Sequence, residues 1–236
     1  MKFSIRNLVL VAMFTSGAMA AESGIFVGID TGFMSVKNEI GNKGVSTFTG
    51  AHNPNVIPSN TVSFSDSTFE GILKVGYHFD STHRVYLAYV ANNVEGKKVF
   101  TQGSAGSIDT ITVKFKETSK LLLGYDYTPE LASMWRGIAG IYAGSLRRDV
   151  SLRMVDTPNP HLPTDVAVKS SGNLLGLKLG AIYEVAKNSD IEFGMKFESA
   201  SMGNKSDKDK DNIMTVTFSN QKQSNIGLYA GYVYKF

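Results

Sequence analysis

Leu228-Tyr229-Ala230-Gly231-Tyr232-Val233-Tyr234-Lys235-Phe236 closes the chain. Counting back from Phe236, every second residue (Tyr234, Tyr232, Ala230, Leu228) is apolar or aromatic. Between them stand Lys235, Val233, Gly231 and Tyr229. A period of two places the first set on one face of a β-strand and the second on the other. With that strand ending on its last aromatic residue, no further C-terminal domain is expected.

The same alternation returns throughout the chain. Ile25, Val27, Ile29 and Phe33 oppose Gly28, Asp30 and Gly32, and Phe69, Leu73, Val75, Tyr77 and Phe79 oppose Glu70, Lys74, Gly76 and His78. A third segment starts at Arg84, with Val85, Leu87 and Tyr89 on its apolar face. The fourth sets Leu121, Leu123, Tyr125 and Tyr127 against Lys120, Gly124 and Asp126. A fifth, from Trp135 to Gly144, is so rich in glycine and alanine that its facing is ambiguous. Leu175, Leu177, Leu179 and Tyr183 then oppose Gly176, Lys178, Gly180 and Glu184, and Ile191, Phe193, Met195 and Phe197 oppose Glu192, Gly194, Lys196 and Glu198. With the terminal segment, this makes eight strands.

One face of each strand is apolar, while the other mixes charge with glycine. No soluble sandwich turns such a face to its core, because an unpaired buried charge is too costly. A barrel in lipid needs the reverse arrangement, apolar outside and polar inside. The connections agree: residues 80–83, 128–134 and 186–190 are short, whereas 37–66, 93–108, 147–170 and 203–212 are long. Transmembrane barrels have short turns on one side and long loops on the other. Aromatic residues (Tyr77, Phe79, Tyr125, Tyr127, Trp135, Tyr183, Phe193, Tyr234, Phe236) gather beside the short turns, where an interfacial ring belongs.

At the other end, Lys2 and Arg6 precede an apolar run at 8–14, closed by Ala18-Met19-Ala20. That order predicts a secretory signal peptide, residues 1–20, cleaved after Ala20, with residues 21–236 forming one barrel domain. The apolar run is too short for a spanning helix, which needs about 20 residues. Without Lys2 and Arg6 the balance is 22 basic to 21 acidic residues, so a nucleic-acid partner loses its main support. The absence of cysteine excludes disulfides and thiolate chemistry.

The expected fold class is therefore all-β, an eight-stranded antiparallel up-and-down transmembrane β-barrel with short periplasmic turns and long extracellular loops. The signal peptide, the inverted faces and the terminal Phe236 resemble the small outer-membrane barrels of the OmpA transmembrane domain, OmpX and Opa type. That resemblance implies location in the cell outer membrane, among lipid and lipopolysaccharide. It also implies that the barrel-assembly machinery reads Leu228, Tyr232, Tyr234 and Phe236 as a C-terminal signal. A monomer is expected, acting through its extracellular loops in adhesion to a host or environmental surface, or in envelope integrity. A peptidoglycan-binding domain is not expected, so a cell-wall tether is not carried over.

An eight-stranded barrel is just wide enough to be filled by its own side chains. Asp30, Glu70, Asp126, Glu184, Glu192 and Glu198 face inward with Lys74, Arg84, Lys120, Lys178 and Lys196. A structural salt-bridge network is the expected reading, since buried charges need partners; a narrow porin-like ion path is the alternative. Outer-loop Arg147, Arg148, Arg153 and Lys169 are candidates for lipopolysaccharide phosphates. Residues 111–116 and 213–218 alternate above the membrane zone, predicting a protruding sheet whose edge is a template for partner strands.

No cofactor or metal is expected. Asp207, Asp209 and Asp211 have the spacing of a calcium loop, yet Asn212 stands at its glycine position and Phe218 at its bidentate glutamate. A lipid A-modifying enzyme of this size would need a base and a nucleophile together at the outer rim. His78 and His83 lie near the other end, and His52 and His161 lie in long loops, so a non-enzymatic protein is expected.

Overall fold

The computed structural model describes residues 24–46, 62–104, 107–156, 164–203, 205–208 and 215–236. The expected signal peptide with its cleavage site, His52, His161, Asp209, Asp211 and Asn212 lie outside them.

Eight long strands form the molecule: β1 (Gly24–Ser46), β2 (Val62–His78), β3 (His83–Ser104), β4 (Ser107–Tyr127), β5 (Trp135–Asp156), β6 (Thr164–Ala186), β7 (Ser189–Met202) and β8 (Thr215–Lys235). Each pairs antiparallel with its sequence neighbour, apart from the short strand Lys205–Lys208, which pairs with β8. β8 pairs back onto β1 from Phe26↔Lys235 to Ser46↔Thr215, closing the sheet into a barrel. Closure removes the open edges that lipid cannot satisfy.

The short turns sit where expected. At the β2–β3 turn, Asp80 Oδ1 accepts the backbone N–H groups of Thr82 and His83, both at 2.7 Å. The Thr82 N–H, first among these donors, holds the Asp80 carboxyl below its usual range. Between β4 and β5 a three-residue strand, Glu130–Ala132, folds back on β5. At the β6–β7 turn, Asn188 Nδ2 donates to Lys235 O at 2.9 Å, and Lys235 N donates to Asn188 O at 2.8 Å. The terminal strand is thereby tied to the neighbouring turn, and Phe236 N donates to Ile25 O at 3.0 Å.

Burial divides the faces as the alternation predicts. Ile29, Phe69, Leu73, Leu87, Leu121, Leu123, Leu175, Leu177, Leu179 and Leu228 are all exposed on the outside. So large an apolar surface is characteristic of a lipid contact and not of a surface in water. Toward the short turns the belt ends in rings, with Trp135 4.8 Å from Tyr183 and Tyr234 5.1 Å from Phe236. Toward the other side it stops at small polar residues that also face out, among them Ser35, Ser67, Ser145, Asn173, Ser199 and Ser224. The apolar stretch between is about nine residues per strand, matching an apolar band roughly 25 Å tall. The facing of β5, ambiguous in sequence, is settled by Trp135 and Ile141 outside and Ile138 and Tyr142 inside.

The long connections differ from the expected loops. Much of 37–46, 93–104, 107–108, 147–156 and 164–170 is continuous strand beyond the belt. A ladder needs backbone partners and not apolar side chains, so it runs on where the apolar pattern stops. The β2–β3 ladder, however, ends at Glu70↔Asn92, although both strands continue. In its hydrogen bonding the barrel wall therefore parts into two groups of strands, although the short strand Lys205–Lys208 stays beside β6. One is formed by β3, β4, β5 and β6, the other by β2, β1, β8 and the short strand Lys205–Lys208.

Candidate functional site

Inside the barrel, alternate residues of every strand converge on the axis. Cross-strand register fixes their heights, so the charges stack in four layers from the short-turn end outward.

At the base, buried Asp190 accepts Arg136 Nη2 at 2.7 Å and Lys235 Nζ at 2.9 Å. Glu184 stands 3.8 Å from Lys235 and is partly exposed, so it belongs to this rim and not to the inner network expected from sequence. Glu184 lies in the last residues of β6, beyond the zone where the barrel wall covers an inward side chain.

The second layer links six strands. Lys74 Nζ lies 2.9 Å from Asp30 Oδ1 and 2.7 Å from Glu192 Oε2. Arg84 Nη1 reaches Glu192 Oε1 at 2.5 Å, and its Nε donates to Asp126 Oδ2 at 2.9 Å. Lys178 Nζ meets that same Asp126 oxygen at 2.7 Å. Its ammonium also lies 4.7 Å over the Tyr86 ring, a cation–π contact.

In the third layer, Lys120 Nζ bridges Glu70 Oε1 and Glu198 Oε2, both at 2.6 Å. Lys196 Nζ holds Glu70 Oε2 at 2.9 Å. Tyr142 O–H donates to Glu198 Oε1 at 3.1 Å, and Asn225 Nδ2 to Glu198 Oε2 at 2.8 Å.

The fourth layer was not expected. Glu117 accepts Gln223 Nε2 at 2.7 Å and a bond from Asn92, and Lys120 lies 3.6 Å away. Arg148 crosses from β5 to the opposite wall, where its Nη2 donates to Asn38 Oδ1 at 2.5 Å and to Gln223. Arg148 is fully buried, with its guanidinium 5.3 Å from the Phe115 ring centre. It is therefore no contact for lipopolysaccharide; strand parity sends it inward beside outward-facing Arg147. Arg147, Arg153 and Lys169 are exposed on the outer extension. Leu228, Tyr232 and Tyr234 face outward on β8, with Phe236 at its end half-exposed.

Each layer pairs equal numbers of cations and carboxylates: two and two, three and three, two and two, one and one. In the lower three layers each cation meets a carboxylate at hydrogen-bond distance, and removing one partner of such a buried pair is strongly destabilising. The layers can approach the axis because glycine faces the bulky groups. The Tyr142 ring lies where a Cβ on Gly176 would sit, and Tyr86 occupies the same place at Gly124. Replacing Gly176 with valine is expected to displace Tyr142 and lower stability by about 1–3 kcal/mol, the usual range for overpacking. Urea titration of the folded barrel in vesicles checks this; an unchanged midpoint would mean that the ring moves freely.

Among the described residues no group of three or more His, Asp or Glu side chains forms a metal site. His78 is buried beside Phe26, 4.9 Å between ring centres, and His83 Nδ1 lies 2.6 Å from the Tyr125 hydroxyl. Both stand at the short-turn end, away from the outer rim.

No protein-family model matches the chain, and no curated protein matches it. Among solved structures it is similar to Neisserial surface protein A, at 15% identity over 90% of this chain and 97% of that one, TM-score 0.42. It is also similar to Ail, the attachment invasion locus protein of Yersinia pestis, in complex with the heparin analogue sucrose octasulfate. That match has 11% identity over 89% of this chain and 99% of the other, TM-score 0.41. The outer membrane protease OmpT from Escherichia coli aligns at 12% identity over 94% of this chain and 100% of that one, TM-score 0.45. At these levels the likeness is one of fold, and it carries no ligand or activity across. By its own closure, strand number and inverted faces, the chain has the fold of a small eight-stranded outer-membrane β-barrel.

Proposed function

We propose that this is a monomeric, non-enzymatic outer-membrane protein that acts outside the cell through the strands and loops that outrun the bilayer. The observation that carries this reading is the contrast along the axis. Four balanced layers of charge bridge the lumen, while β3, β4, β5 and β6 continue past the belt as a protruding sheet. A barrel of this kind offers its partners a surface and an unpaired strand edge, the substrate for β-augmentation. Adhesion to a host or environmental surface is the leading role, with envelope integrity beside it. Arg147, Arg153 and Lys169 are the candidates for lipopolysaccharide phosphates. Export by residues 1–20, cleavage after Ala20, and recognition of Leu228, Tyr232, Tyr234 and Phe236 by the assembly machinery complete the proposal.

Replacing residues 95–115 with a short turn tests it. The shortened barrel should still fold and keep its heat-shifted band on an unboiled denaturing gel, because the belt and the charge layers stay whole. Cells carrying it should lose adhesion to extracellular matrix relative to cells carrying the full chain. Full adhesion without the hairpin, together with stepwise conductance of the intact protein in planar bilayers, would replace the surface reading with that of a narrow pore.

A further inference from the structure

Arg148 differs from the buried cations beneath it. Lys74, Arg84, Lys120, Lys178 and Lys196 each touch a carboxylate within 2.9 Å. The carboxylate paired with Arg148, Glu117, stands 4.0 Å away. Its oxygens already take bonds from Asn92 and Gln223 and face the Lys120 ammonium. The acceptors that Arg148 does reach, on Asn38 and Gln223, are neutral amides. Arg148 Nε and Nη1 are left without a hydrogen-bond partner.

Further unpartnered groups gather around it. Ser170 is the direct cross-strand partner of Arg148, and its Oγ has no bond. Asn38 turns its Oδ1 to Arg148 and leaves Nδ2 unpartnered. Gln221, the next inward residue outward of Gln223 on β8, has both amide atoms unpartnered. All four residues are at most 4% exposed. Buried donors without acceptors are rare in folded proteins, and a concentration of them around one guanidinium calls for an acceptor.

We propose that Arg148, Asn38, Gln221 and Ser170 form a binding site for a small anion, a halide or an oxyanion such as phosphate, in the outer part of the lumen. The donor set has the right chemistry: one permanent cation, two amide N–H₂ groups and a hydroxyl free to turn. Immediately outward, Phe115, Val150 and Val168 are buried on β4, β5 and β6, and an apolar wall strengthens the attraction by excluding water. The wall beside the site is not a continuous ladder. Asn38 pairs with Phe64 of β2, and at that height β2 no longer pairs with β3. The site lies above the charge layers that bridge the barrel, next to the place where the β2–β3 ladder ends.

The test is calorimetric titration of the refolded protein in zwitterionic detergent with sodium chloride and, separately, sodium phosphate at constant ionic strength. A saturable isotherm for one of them is expected, with a matching rise in the temperature at which the unboiled band converts to its unfolded position. Arg148→Met should weaken binding by about ten-fold or more, since the charge-assisted bonds go with it. Gln221→Ala and Ser170→Ala remove single neutral donors and should weaken it several-fold, which keeps the test open if Arg148→Met fails to fold. Lys222→Gln, an exposed cation between Gln221 and Gln223 on β8, should bind like the parent. Flat isotherms for both anions, or loss in Lys222→Gln with retention in the inner variants, would overturn the site.

Discussion

Arg84→Met is expected to lower the unfolding free energy of the barrel by about 3–5 kcal/mol, the range for removing one partner of a buried ion pair. Arg84 is fully buried and holds two carboxylates, Glu192 at 2.5 Å and Asp126 at 2.8 Å. Without it, the second layer has three carboxylates and two ammonium groups, and one negative charge is left without its counterion inside the wall. Methionine fills much of the volume, so the loss is electrostatic more than steric. A companion variant separates the two contributions. In Arg84→Met with Glu192→Leu, Lys74 keeps Asp30 at 2.9 Å and Lys178 keeps Asp126 at 2.7 Å, so the layer is neutral again. Replacement of a buried pair by apolar groups is often nearly neutral, so the double variant should recover most of the loss. Trp135 is the sole tryptophan of the chain and lies in the interfacial ring. Its fluorescence during urea titration in vesicles reports both values. Single and double variants of equal stability would show that Arg84 acts by packing alone.

How much of this could be read from the chain depends on which residues bear a contrast. The strands crossing the belt were legible because Leu177 beside Lys178, or Phe193 beside Glu192, assigns two faces at once. The inner charges of the second and third layers followed from the same parity. The fourth layer did not, for two physical reasons. Along β5 small residues occupy both faces (Ala139, Gly140, Ala143, Gly144), so the inward parity of Arg148 was hidden until Trp135 and Ile141 fixed it. In β4 the register shifts between Glu117 and Ser119, so Glu117 and Lys120 both face the axis at an odd spacing that alternation cannot yield. Gln221, Gln223 and Asn225 did carry a signal, since they continue the inward parity of Tyr229 and Gly227 on the terminal strand. The outer strand ends were legible only where alternation runs on, as at 111–116 on β4; Lys37-Asn38-Glu39 on β1 offers no apolar contrast. There the hydrogen-bonded ladder alone keeps the chain extended.

The belt makes the opposite demand to the lumen, so one substitution placed at two heights should separate lipid from water. Leu179 is the third of five outward positions on β6 within the belt, flanked in the ladder by Ala139 and Met195. At 56% exposure it has no cavity to lose, so its replacement acts through solvation. Leu179→Arg is expected to cost about 2–4 kcal/mol in vesicles, the range for a cation facing lipid at the bilayer midplane. Asn173→Arg, on the same strand and the same face but at the outer polar ring, should cost about 0–1 kcal/mol, because its guanidinium reaches the headgroups. The difference between the two measures depth directly, independent of any likeness to other barrels. Equal costs at both positions would mean that this face meets water or protein at both heights, and the bilayer would have to be placed elsewhere on the molecule. A large cost at 179 alone fixes the membrane between the aromatic ring and the serines. It also leaves the Arg148 cluster and the strands beyond it past the apolar belt, at the end of the barrel away from the short turns.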